Sequence, residues 1–139
     1  MREVLEHIHP ILVHFPIALF ISALGIEILS WCLKSSNLHK TALYVYIFAT
    51  LSAPFSVLTG WMEWKKLNIH HPILDSHRNF GFALMYFSIL GLVFVATCKD
   101  KKFFPPLFLC LLLIMAVLVT ITAYFGGTMV YEYGVGVQS

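Results

Sequence analysis

Four apolar stretches set the terms for this chain: about Ile11–Leu33, Thr41–Met62, Phe80–Cys98 and Pro106–Phe125. Each runs about 19–23 residues, enough to cross a hydrocarbon core of roughly 30 Å as a helix. The breaks between them are short and polar: Lys34–Lys40, Glu63–Asn79 and Lys99–Pro105. Short connections make sequential helices antiparallel neighbours. The pattern predicts an all-α membrane protein. It is a four-transmembrane-helix up-down bundle forming one integral membrane domain over residues 1–139. Composition supports lipid as the solvent. The chain is 59% hydrophobic and 12% charged, with a mean hydropathy of +0.82. An ordinary soluble domain carries about twice that charge.

The ends of the stretches fit the same reading. Pro10 and Pro106 suit first-turn positions, where a missing N–H costs little. Pro16 and Pro54 fall inside helices, which membrane bundles tolerate. Trp61, Trp64, Tyr124, Tyr131 and Tyr133 gather near one set of helix ends, as an interfacial aromatic belt does. The first stretch is too long for the core of a cleaved signal peptide and is expected to stay as a helix.

Four spans put both termini on one side. The loops on the other side carry Lys34, Lys40, Lys99, Lys101 and Lys102, against Arg2, Lys65, Lys66 and Arg78 on the terminal side. This bias places the short loops in the cytoplasm and both termini outside a bacterial inner membrane. Cys32, Cys98 and Cys110 lie toward the cytoplasmic side and are expected as small apolar core residues. Basic residues form no stripe interleaved with aromatics, so nucleic-acid binding has no footprint.

A repeat is visible. His9-Pro10-Ile11-Leu12 recurs as His71-Pro72-Ile73-Leu74, 62 positions on, and His14 matches His77 at 63. Thr59-Gly60-Trp61 matches Thr122-Ala123-Tyr124, also at 63. The chain reads as two copies of a helical hairpin, related by an axis along the membrane normal. The first and third helices are then diagonal partners.

Six of seven histidines map to the terminal face: His7, His9, His14, His70, His71 and His77. An ionisable residue inside a membrane is a functional candidate by default. His14 and His77 each have a small residue four positions on, Ala18 and Gly81. Residues four apart share a helix face, so each histidine is expected to have open space beside it. The bland alternative for both is a hydrogen bond that organises helix contacts. His39 and Glu27 are expected near the opposite headgroups, with Glu27 snorkelling to the surface.

The strings His9-Pro-Ile-Leu-Val-His-Phe-Pro16, Thr59-Gly-Trp-Met-Glu-Trp64 and Gly126-Gly-Thr-Met-Val-Tyr-Glu-Tyr-Gly-Val-Gly-Val137 carry a resemblance. They resemble the bacterial family of predicted membrane proteins called domain of unknown function 2231. The likeness runs the length of the chain, and Glu63 departs from the Asp usual there. Some members of that family are joined to Rieske iron–sulfur or c-type cytochrome domains. The resemblance therefore implies an electron-transfer setting outside the inner membrane.

These readings give a leading expectation and two alternatives. The first is a small b-type cytochrome-like electron-transfer protein, with haem b ligated by His14 and His77 and Arg78 at its edge. It would work between membrane quinone and an extracytoplasmic redox protein, and a homo-oligomer is compatible with it. The second is a copper-binding protein using His9, His70, His71, Met62 and Met129, since imidazole and thioether suit copper. The third is a structural subunit of a membrane complex. Hydrolysis finds no serine or cysteine beside a histidine in a nucleophile setting, so a binding or electron-transfer protein is favoured over an enzyme.

Overall fold

A computed structural model describes residues 8–67 and 71–134, with the side chains of Ile8, Lys66 and Leu67 left out of the description. The described residues form four helices: α1 Ile8–Leu33, α2 Ser36–Leu67, α3 Pro72–Cys98 and α4 Phe104–Tyr131. All four are long and apolar enough to cross a membrane. Each helix packs on its neighbour in sequence, and α1 closes the ring against α4, leaving α1 and α3 diagonal. The α1–α2 and α3–α4 pairs are the most extensive, so the bundle is two hairpins side by side.

The helices outrun the apolar stretches. They hold 26, 32, 27 and 28 residues, or about 40–48 Å at 1.5 Å per residue. Their ends therefore reach beyond a hydrocarbon core of roughly 30 Å. Asp75, His77 and Arg78 lie in the first two turns of α3, within the stretch read as a polar break. Gly126 and Gly127 continue α4.

The interior is narrow. Phe20, Tyr46, Phe108, Leu112, Met115 and Val119 fill it, and Ala23, Ala42, Ala49 and Ala53 allow close approach of α1 and α2. Small residues play this part where lipid supplies no hydrophobic drive between helices. Tyr46 lies against Phe20 and Phe108, and its hydroxyl donates to the Ser88 carbonyl at 2.7 Å. Outward faces are equally apolar: Ile11, Phe15, Phe48, Phe55, Leu90 and Val117 are exposed to the surrounding lipid. Cys32 and Cys110 share that outer surface, so two of the three cysteines are lipid-facing and not core residues.

Pro16 lies inside α1. It has no N–H to give the carbonyl four residues back, that of Leu12. The Ser56 hydroxyl on α2 donates to that carbonyl at 3.1 Å. A helix defect thus becomes a tie between α1 and α2.

The loop end is also built locally. α1 stops with Lys34 in the left-handed region (φ 50°). Ser35 N–H donates to the Ser30 carbonyl and Lys34 N–H to that of Trp31. This is the hydrogen-bond pattern of a Schellman cap, with lysine at the position glycine usually takes.

Candidate functional site

The histidine that meets His77 is His9. Their ring centres are 6.5 Å apart, with the planes near perpendicular at 77°. His9 enters from the first turns of α1 and His77 from the second turn of α3, so the two hairpins contribute one ring each. Both rings are half-buried.

Each ring is anchored through the same nitrogen. His77 Nδ1 is 2.9 Å from the Thr122 carbonyl on α4. A carbonyl can only accept, so Nδ1 carries the proton. His9 Nδ1 is 3.2 Å from Thr59 Oγ1 on α2. The Thr59 hydroxyl already donates to the carbonyls of Phe55 or Ser56. It can therefore receive the His9 Nδ1 proton. In both neutral rings the lone pair is left on Nε2, the nitrogen available to a ligand.

Glycines make room for the rings. A Cβ on Gly60 would stand 2.6 Å from His9 Cε1, and one on Gly126 would stand 3.1 Å from His77 Cε1. At Gly81, one turn beyond His77, a Cβ would meet nothing within 4 Å, so that flank is open.

The repeat persists, but in another register. The buried faces of α1 and α3 align at an offset of 68: Pro16, Phe20, Ala23 and Glu27 against Leu84, Ser88, Gly91 and Val95. Those of α2 and α4 align at 66: Ala42, Tyr46, Ala49, Ala53 and Ser56 against Phe108, Leu112, Met115, Val119 and Thr122. His9 then matches His77, Ser56 matches Thr122 and Gly60 matches Gly126. The expected pairing of His14 with His77 is corrected for this reason. His14 lies two residues from buried Pro16, about 200° around the helix, and is exposed. Ala18 is exposed beside it.

The other expected residues are spread out. Arg78 binds Asp75 at 3.1 Å and lies over the Trp64 ring at 4.6 Å. His71 caps α3, its Nδ1 accepting the Ile73 N–H at 3.3 Å, and its ring lies tilted against that of Tyr133, centres 4.4 Å apart. Met62 faces outward and Met129 is half-buried. His7 and His70 lie outside the described residues. Among the described residues no group of three or more His, Cys, Asp or Glu could hold a metal ion.

Sequence reasoning missed a second polar cluster at the loop end. Glu27 does not snorkel; it is fully buried. Both of its carboxylate oxygens lie 2.9 Å from His39 Nδ1, and Trp31 Nε1 donates to Oε1 at 3.0 Å. His39 belongs to α2, not to a loop, and packs edge-on against Phe104 and Phe108 of α4. The signal was an acidic residue in an apolar stretch, four residues before a tryptophan.

Residues 6–139 match a family described as predicted membrane protein, DUF2231. The chain belongs to this family. No match was found among curated proteins or among solved structures. The DUF2231 chain is a multi-pass membrane protein in which each hairpin brings one histidine to the same end of the bundle.

Proposed function

We propose that this protein is a small b-type cytochrome-like electron carrier whose haem is held between His9 and His77. The observation that carries this reading is the anchored pair itself. His9 and His77 would hold the iron, one imidazole from each hairpin. Their ring centres are 6.5 Å apart. Both rings keep Nε2 for the iron, and Gly81 leaves open space on the flank of His77.

Haem bound there would supply a one-electron ferric–ferrous couple. The chain's own residues do the rest. The oxygens of Thr59 and Thr122 fix the ring orientations and make the ligands more basic. Arg78 and Lys65, steadied over Trp64 and Trp61, are placed at the headgroup level to pair with propionates. The low charge between the two polar ends keeps the carrier insulated from water.

The setting follows the lysine bias. The turns that join α1 to α2 and α3 to α4 hold Lys34, Lys99, Lys101 and Lys102, and Lys40 lies in the first turns of α2. That end would face the cytoplasm of a bacterial inner membrane, with both termini and the histidine pair outside. Membrane quinone and an extracytoplasmic redox protein are the partners that suit such a carrier. The copper reading loses its common centre, because His71 caps a helix and Met62 faces outward.

Titration of purified protein with haem tests the proposal. Saturation at one haem per chain with a low-spin b-type spectrum is expected. A protein that stays folded and colourless under the same conditions would remove the cytochrome reading in favour of a structural role.

A further inference from the structure

The loop end holds an arrangement that the haem reading does not use. A cavity of about 280 Å³ opens there, with Lys34, Ser35, Ser36, His39 and Pro105 in its wall. Behind His39 lies Glu27, fully buried and within 2.9 Å of His39 Nδ1. A buried carboxylate is stable only when its charge is matched and its lone pairs are satisfied. His39 is paired to Glu27 through Nδ1, which leaves Nε2 as its second ring nitrogen. His39, Lys34 and Ser36 all belong to the wall of one cavity.

The surroundings share the sign of Lys34. Lys40 on α2 and Lys99, Lys101 and Lys102 in the α3–α4 turn are all exposed at this end, against a single exposed acid, Asp100. From α4 the residues facing His39 are Phe104 and Phe108, which are uncharged. Lys34 is held by a left-handed backbone at the end of α1, so its stem leaves from a fixed turn and not from a helix that frays.

We propose that this cavity binds the phosphate of an anionic phospholipid headgroup, with Lys34 and the Glu27-backed His39 as its principal contacts. Basic pockets between helix ends at a cytoplasmic surface recognise such headgroups. The exposed apolar faces beside the cavity, Trp31 and Leu33 on α1 and Phe103 at the start of α4, suit acyl chains. The buried acid then has a purpose: it holds the His39 ring in place at this end of the bundle. This inference concerns the end opposite the histidine pair and stands apart from the haem reading.

Native mass spectrometry of the detergent-purified full chain tests it. The probe is an equimolar mixture of dioleoyl phosphatidylglycerol and dioleoyl phosphatidylcholine. One phosphatidylglycerol per chain should be retained in preference to phosphatidylcholine. Lys34→Gln should lower that preference about fivefold, the loss of one lysine's attraction at the surface. Lys101→Gln, which lies outside the cavity wall, should lower it less than Lys34→Gln does. His39→Gln should lower the preference as Lys34→Gln does, with Lys34→Gln deciding the matter if the histidine variant fails to fold. Equal retention of the two lipids by wild type, or equal effects of Lys34→Gln and Lys101→Gln, would overturn the proposal. Displacement of the lipid by millimolar inorganic phosphate would also overturn it, by making this a free-phosphate site.

Discussion

At the scale of single residues, glycine decides where the rings can lie. Gly60 supports His9 more tightly than Gly126 supports His77: the added Cβ would stand 2.6 Å from one ring and 3.1 Å from the other. The first contact requires the ring to shift, and the second only a small yield. Gly60→Ala should therefore lose most haem affinity, while Gly126→Ala keeps it within about tenfold, a 1.4 kcal/mol change. Haem titration of the two variants checks the order. A second glycine acts in the core. A methyl on Gly91 would fall onto the Tyr46 hydroxyl, which donates to Ser88. Gly91→Ala should cost about 1–3 kcal/mol, as overpacking does, read from thermal unfolding in detergent. None of these contacts was open to a sequence reading. Gly60 stands in the sequence as one member of a Thr-Gly-Trp string, and its partner is 51 residues away.

Among the elements, span and order were readable, and facing was not. Length and apolarity are properties along the chain, and the four helices contain the four stretches read from it. Facing is different. A helix in water marks its inner side by polarity on the outer side. Here Phe15 and Phe55 look outward while Phe20 and Phe108 look inward, so lipid erases the mark. That is why His14 and His9 could be exchanged in the reading. The repeat misled in the same way, because His-Pro-Ile-Leu follows the helix entrances and not the buried faces. Proline positions were readable, their repair was not. Ser56 answers the Leu12 carbonyl that Pro16 leaves open. Ser56→Ala should strand that carbonyl and cost about 1–3 kcal/mol. Ser56→Thr, which keeps the hydroxyl, should cost less. Equal stability of Ser56→Ala and wild type in thermal unfolding would mean that water or lipid headgroups serve the carbonyl instead.

For the whole molecule, the two hairpins are alike in their outer halves and unlike in their inner halves. A histidine anchored through Nδ1 to a threonine oxygen of the next helix, with a glycine beside its ring, occurs in both, but Glu27 is matched by Val95. A histidine pair at one end and a single acidic cluster at the other make the two ends of the bundle chemically different. The proposed orientation rests on the lysines. In a background with the three native cysteines replaced by serine, a cysteine at Tyr133 should react with a membrane-impermeant thiol reagent in intact cells. One at Lys101 should react only after lysis, and the reverse pattern would invert the orientation. The central claim is that His9, not His14, is the partner of His77. The most direct measurement is the reduced-minus-oxidised absorption spectrum of haem-supplemented His9→Ala, His14→Ala and His77→Ala proteins, each checked for folding. The account predicts that His9→Ala and His77→Ala lose the low-spin b-type bands while His14→Ala keeps them. Loss of the bands in His14→Ala with His9→Ala unchanged would contradict it.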